Sequence, residues 1–274
     1  MSLVEAIVLG IVQGITEFLP ISSTGHLRIV PALMGWDDPG AAFTAVTQLG
    51  TMAAVLLYFR ADLARIGRAW LRSLRNPEIR RELDARMGWY ILLGTIPIGI
   101  FGLAFKDQIE TGARDLYLIG VALIVLGLVL LLAEKIGTRE RSMEQIKARD
   151  GVVVGFAQAL ALIPGVSRSG ATITAGLFLG FDRTAAARFS FLLSVPAVVL
   201  SGLLELASIV TGEEATHVGA SALIVATLAA FVSGYWAIAF LLRYLTTHST
   251  IVFVVYRIVL GALVLALTAA GTIK

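Results

Sequence analysis

Residues 10–26 read GIVQGITEFLPISSTGH, and residues 155–171 read GFAQALALIPGVSRSGA. The first stretch gathers Gln13, Glu17, Ser22, Ser23, Thr24 and His26 between almost purely apolar flanks. Gln13 and Glu17 stand four residues apart, so on a helix the amide and the carboxylate share one face. An acid inside an apolar segment is expensive unless paired or hydrated, which makes Glu17 a functional candidate. The structural alternative is a carboxylate that satisfies the amides of loop 22–25 or pairs with Arg168. A helix beginning near residue 24 would aim its N-terminus at that loop, a geometry that favours an anion and above all phosphate. The second stretch repeats the pattern with Ser167, Ser169 and Gly170 and adds Arg168, whose guanidinium can clamp a phosphate bidentately. Helix capping by serine and threonine is the plainer reading and accounts for part of the pattern. Acid, imidazole and hydroxyls from one loop and a permanent cation from the other suit phosphoanhydride hydrolysis. That reaction needs charge neutralisation, a nucleophile and a proton shuttle. The other two histidines, His217 and His248, fall in loops and read as solvated bystanders. No cluster of histidines and carboxylates forms a protein-only metal cage, although a hard divalent ion would fit between Glu17 and substrate phosphates, with water completing its shell.

The elements that must hold these groups are membrane spans. Of 274 residues, 57% are apolar and 15% charged, and the mean hydropathy is +0.86; soluble domains carry about 25% charged residues. Apolar runs at 41–59, 88–105, 116–133, 186–204, 218–241 and 251–270 can each be extended to the roughly 20 residues a span requires. Six such runs exclude a soluble helical protein with a large core. Cysteine is absent, which removes disulfides, thiolate nucleophiles and thiolate-ligated metals. The run from residue 3 lacks a basic leader and a small-residue cleavage site and is expected to belong to the mature protein. A net charge of +3 does not indicate a nucleic-acid partner; it fits basic loops beside anionic lipid.

Lys and Arg set the orientation. Loop 60–86 carries Arg60, Arg65, Arg68, Arg72, Arg75, Arg80, Arg81 and Arg86 against Asp62, Glu78, Glu82 and Asp84, and loop 134–149 carries Lys135, Arg139, Arg141, Lys147 and Arg149. Both are expected in the cytoplasm, with 243–250, and loops 106–115 and 205–217 outside. Loop 60–86 reads as an amphipathic helix on the membrane surface.

Gly10, Gln13, Ser22, Thr24 and Gly25 meet Gly155, Gln158, Ser167, Ser169 and Gly170 without a gap, and three spans follow each stretch. An odd number of spans reverses the second half, which describes an inverted-topology repeat, 1–133 and 150–271, in one membrane domain over 1–274. Residues 3–35 and 150–180 are each interrupted by Pro and Gly beside polar residues, so each is expected to be a re-entrant hairpin. A break at mid-depth is tolerated only when buried in protein or lining a wet cavity. The alternative for the first is one continuous span over 3–34. Gly94 and Gly99, and Gly120 and Gly127, suit helix packing within one chain or between two, which leaves a homodimer open.

The motifs at 13–26 and 164–170, with the length and loop plan of the whole chain, resemble the BacA-type undecaprenyl-pyrophosphate phosphatases. These are bacterial inner-membrane enzymes that recycle the cell-wall lipid carrier and are linked to bacitracin resistance. The resemblance implies six spans, two re-entrant hairpins and a site that opens to the periplasmic or external face. It implies a catalytic set of Glu17, His26, Ser23 and Arg168, with Thr24, Ser167 and Arg168 at the phosphates; the loop pattern adds Ser22, Gly25, Ser169 and Gly170 as expected phosphate ligands. It further implies a divalent cation, Mg2+ or Ca2+, at Glu17 and Gln13; Gln13 stands where many members have a second glutamate, and an amide coordinates more weakly. Ser23 would attack the terminal phosphorus of undecaprenyl pyrophosphate, or water would attack directly with His26 as base. A lipid-phosphate flippase or anion transporter is the rival reading of the same cavity.

Overall fold

Proline punctuation explains why the chain folds into short helices as well as long ones. The computed structural model describes residues 1–105, 115–211 and 218–273. The described helices are α1 (Leu3–Phe18), α2 (Ser23–Met34), α3 (Gly40–Tyr58), α4 (Arg60–Ser73), α5 (Leu83–Ala104), α6 (Leu116–Ile136), α7 (Ala148–Ala159), α8 (Arg168–Phe178), α9 (Arg183–Thr211), α10 (Ala220–Tyr244) and α11 (Ile251–Ala269). Among the described residues the only strand-like pairing is an isolated bridge between Arg141 and Phe181. Six helices, α3, α5, α6, α9, α10 and α11, are long and apolar enough to cross a membrane. The protein is thus an all-α polytopic membrane protein.

Helix ends differ from the sequence expectation most at α5 and α9. Helix α5 starts at Leu83 rather than 88, and α9 runs from Arg183 to Thr211 rather than over 186–204. Asp182 explains the earlier start of α9, because its carboxylate accepts the Ala185 amide at 2.7 Å and caps the helix. Residues 205–211 of the expected outer loop are therefore helical. Residues 106–114 and 212–217, with His217, lie outside the described residues. The amphipathic reading of 60–86 matches α4, which buries Ile66 and leaves Arg60, Arg65, Arg68 and Arg72 exposed.

Helices α1 and α7 stop short. Leu19 and Ile163, each just before a proline, take extended backbone at ψ 145° and ψ 123°, as the ring of the following proline requires. The chain breaks between Phe18 and Ser23, so a single continuous span over 3–34 does not form. Both short helices lie flush on a long one because glycine removes the side chain between them. A Cβ on Gly10 would stand 2.3 Å from the Ala226 carbonyl oxygen, and one on Gly14 2.5 Å from that of Ala230. Phe18 packs at the level of Gly234, well before α10 ends at Tyr244. In the same manner a Cβ on Gly151 would meet the Tyr90 carbonyl oxygen at 2.9 Å, and one on Gly155 that of Gly94 at 2.4 Å. Helix α2 packs on α6, where Ile29 meets Leu116 and Ile119; α8 packs on α9, with Gly176 on Ala186. Gly94, Gly120 and Gly127 are all used within the chain, against Gly151, Gly261 and Arg257, so their small size is explained without a second copy.

The arginine-rich loops meet at one end of the bundle and are ion-paired there. Glu134, at the end of α6, is 4% exposed. It accepts from Arg183 and Arg139 and from the Thr250 hydroxyl at 2.8 Å. Arg141 donates to Asp150, and Asp62 accepts from Arg188 and Arg65. These bonds tie the ends of α4, α6, α7, α9 and α11 together. The glycine contacts predict that Gly155→Ala lowers stability by about 1–3 kcal/mol through overpacking, read as a lower Tm in detergent. Gly219→Ala, which adds a methyl to open space, should leave Tm unchanged.

Candidate active site

The two motif loops have one backbone geometry. Ser22 and Ser167 both hold a left-handed φ, 77° and 72°, that side-chain-bearing residues rarely adopt. Each caps the helix that follows. Ser22 Oγ accepts the Gly25 amide at 3.3 Å, and Ser167 Oγ accepts the Gly170 amide at 3.1 Å. The hydroxyl two residues after the cap pairs with it in both loops, Thr24 at 3.3 Å and Ser169 at 3.2 Å. The amides of Gly25 and Gly170 are therefore occupied rather than free for a phosphate. The first two amides of each helix, those of Ser23 and Thr24 and of Arg168 and Ser169, are not used by these caps. Ser22 is wholly buried, and Ser169, 4% exposed, donates to the Leu19 carbonyl at 2.9 Å. Expected phosphate ligands thus divide. Ser22, Gly25, Ser167, Ser169 and Gly170 build the loops, while Ser23, Thr24 and Arg168 remain reachable.

Glu17 joins the halves. Its Oε1 takes an ion-paired bond from Arg168, whose sequence position is 151 residues away. Its Oε2 accepts Ser23 Oγ–H at 2.6 Å and Gln13 Nε2–H at 3.2 Å. The i,i+4 spacing therefore does what the sequence suggested, and the pairing alternative for Glu17 is also realised. An acid, a hydroxyl and a guanidinium stand in contact inside an apolar bundle, where charge acts more strongly than in water. Ser190, Phe191 and Ser194 of α9 wall a small recess beside Glu17 and Arg168.

Both ring nitrogens of His26 bond to groups other than Ser23. Its Nδ1 lies 2.6 Å from the Ser22 carbonyl oxygen and its Nε2 2.6 Å from the Tyr256 hydroxyl. A carbonyl has no proton to give, so Nδ1 carries the hydrogen and the Nε2 lone pair of the neutral ring accepts from Tyr256. His248 lies in a loop, exposed and stacked on Tyr244.

Arg257 and Tyr256, adjacent on α11, are the residues that reading the sequence missed. Arg257 is 0% exposed and among the largest fully buried side chains. Its guanidinium donates to the carbonyls of Pro20 at 3.2 Å, Gly165 at 3.2 Å and Val166 at 3.0 Å, and to those of Ala122 and Leu123. Pro20 and Gly165 are equivalent positions of the two loops, so one side chain fastens both. Gly170 makes room for it, since a Cβ there would stand 2.7 Å from Arg257 Nη1. A lone arginine in the apolar run 251–270 was the available signal, because an ionisable residue within a span needs a reason.

Among the described residues no three His, Asp or Glu converge as metal ligands. Gln13 Oε1, however, is buried without a hydrogen-bond partner, one helical turn from the Glu17 carboxylate. Two oxygen ligands of this kind fit a hard divalent ion that takes its remaining ligands from water and substrate. Gln158, the counterpart of Gln13, is 0% exposed with its amide unpartnered.

Fold and site together define a polytopic α-helical membrane protein with an internal polar centre built from two serine-capped loops. The family model for bacitracin resistance protein BacA matches residues 6–263, and the chain belongs to that family. It is 58% identical over 269 residues to an undecaprenyl-diphosphatase of Nocardioides sp. (strain ATCC BAA-499 / JS614), covering 98% of this chain and 97% of the relative. It is 55% identical to an undecaprenyl-diphosphatase of Thermobifida fusca (strain YX), over 100% of this chain and 92% of the relative. A third, from Mycolicibacterium smegmatis (strain ATCC 700084 / mc(2)155), is 56% identical over 100% and 99%.

The Arg257 clasp predicts two graded outcomes. Arg257→Met strands buried carbonyls, each worth about 1–3 kcal/mol, so Tm in detergent should fall steeply. Arg257→Lys keeps the charge but cannot span the same carbonyls from one ammonium, and should fall between Met and wild type in both Tm and turnover.

Proposed function

We propose that the chain hydrolyses undecaprenyl pyrophosphate to undecaprenyl phosphate and inorganic phosphate. It thereby recycles the lipid carrier of peptidoglycan synthesis, and it confers bacitracin resistance by consuming the lipid that the antibiotic captures. The near full-length identity to undecaprenyl-diphosphatases supports this. The observation that carries the chemistry is the contact of Ser23, Glu17 and Arg168.

Ser23 Oγ attacks the terminal phosphorus and passes its proton to Glu17 Oε2, which already accepts it. The bridging P–O bond breaks and undecaprenyl phosphate leaves. Arg168 balances the phosphate charge, helped by the uncapped amides at the starts of α2 and α8, and Thr24 adds a hydroxyl. Ser22, Gly25, Ser167, Ser169 and Gly170 keep both loops in register. Water then attacks the phosphoserine with His26 as base, and Glu17 returns the proton to Ser23. Direct attack by water, with His26 as base, is the competing route. Gln13 and Glu17 would hold Mg2+ or Ca2+, which would add positive charge beside the phosphates.

The architecture we infer is an inverted-topology repeat with two re-entrant hairpins, α1 with α2 and α7 with α8. It is supported by the matched strain at Ser22 and Ser167 and by the arrest of α1 partway along α10. The protein resides in the bacterial inner membrane. Its arginine-rich end lies in the cytoplasm by the charge rule, and the site opens to the periplasmic or external side, where the pyrophosphate is produced. The isoprenoid tail lies along apolar helix faces in the bilayer. Broken helices meeting at mid-depth are also transporter architecture, which favours lipid-phosphate or anion transport as the second reading.

Detergent-purified protein should release inorganic phosphate from undecaprenyl pyrophosphate; a pure transporter releases none. Arg168→Ala should lower kcat by about 10²–10³-fold while the protein still inserts and elutes as wild type, and full activity in that variant overturns the clamp. Quenching with a phosphorus-labelled substrate should leave label on Ser23; label on no residue favours direct attack by water.

A further inference from the structure

Tyr256 occupies the one atom through which His26 can exchange a proton. Nδ1 of His26 is committed to the Ser22 carbonyl, so only Nε2 can gain or lose a proton during turnover. The Tyr256 hydroxyl sits on that atom at 2.6 Å. The two rings are nearly parallel, 7° apart. His26 is 5% exposed, whereas Tyr256 is 43% exposed on its flank of the bundle. The tautomer of His26 is already fixed by Ser22, so Tyr256 is not required to set it. Nor is Tyr256 needed to fill space, since a phenylalanine would pack equally well there and spare the polar atom. The Ser23 proton has its own acceptor in Glu17, which leaves His26 for a different proton.

We propose that the Tyr256 hydroxyl is a proton relay between His26 and the water that attacks phosphorus. The inference rests on the phosphatase reading above. As the water oxygen bonds phosphorus, one water proton passes to the Tyr256 oxygen and that hydroxyl's own proton passes to His26 Nε2. The P–O bond to Ser23 breaks, Oγ takes the proton stored on Glu17, and inorganic phosphate leaves. The imidazolium then returns its extra proton through Tyr256. In the direct route the same transfer accompanies cleavage of the bridging P–O bond. The ionisable groups on the elements around this pair are Arg257 on α11 itself, Glu5 and Glu17 toward the two ends of α1, Arg28 on α2 and Arg168 at the start of α8. On α6, Tyr117, Glu134 and Lys135 lie toward its two ends.

The test is phosphate release from undecaprenyl pyrophosphate by the full-length protein in detergent. Tyr256→Phe should lower kcat by about 10²-fold or more with KM little changed. Combined with His26→Gln, it should be no slower than His26→Gln alone, because both remove the same proton path. Wild-type kcat and pH profile in Tyr256→Phe, or losses that multiply in the double variant, overturn the relay while the phosphatase reading stands. No phosphate release by wild type overturns both. Should Tyr256→Phe unfold, a fluorotyrosine at position 256 keeps ring and hydroxyl but makes the phenol more acidic. Its alkaline limb should move to lower pH, and an unmoved limb overturns the relay.

Discussion

Arg257 puts a permanent positive charge in the middle of an apolar bundle, and the bundle receives it by turning backbone carbonyls inward. A charged side chain at this depth is unfavourable unless its donors are satisfied. Proline and glycine had already broken the helices at Pro20 and Gly165, which left carbonyls without helical partners. Each problem resolves the other. The guanidinium closes the exposed carbonyls of two loops that arrive from distant parts of the chain, and the loops surround a cation that would otherwise be bare. Because those residues are equivalent in the two motifs, the clasp fixes the loops relative to one another. Everything in the site hangs from that registration.

The chemistry follows from it. With the loops held, the starts of α2 and α8 face a common centre, and Arg168 from one half reaches Glu17 from the other. Glu17 then serves two neighbours with its two oxygens, a cation on one side and the Ser23 hydroxyl on the other. The strained serines have a matching role. Ser22 and Ser167 accept an unfavourable φ so that each can cap its helix and direct the following residue, Ser23 or Arg168, into the centre. Strain of this kind persists where the surroundings over-determine it, and here caps, clasp and buried contacts all do so.

Local signals in the sequence were reliable. The Gln13 and Glu17 spacing gave a real hydrogen bond, Pro20 and Pro164 stopped their helices, and the six apolar runs became six span-length helices. Errors were of range. Leu83 and Thr211 moved helix ends because caps and surface turns carry little hydropathy contrast. The serines stood out as a group but not one by one, since Ser22 and Ser23 are neighbours with opposite placements, one sealed as a cap and one bonded to Glu17. Arg257 was visible as an anomaly in an apolar run, and Tyr256 was not visible at all, because its meaning depends on a histidine 230 residues away.

The sequence by itself determined the solvent and the inventory: a membrane chain, broken twice by proline, with a loop of serine and glycine at each break and basic residues gathered in the connecting loops. Those properties are fixed by composition, periodicity and the restricted backbone of proline, which act within a few residues. The tertiary structure alone decided which hydroxyl meets the acid, which amides are spent on caps, what His26 can reach and what a buried arginine is for. Those are matters of direction across an interface, and in an apolar interior a polar group's partner is set by whichever distant backbone packing brings within hydrogen-bond reach.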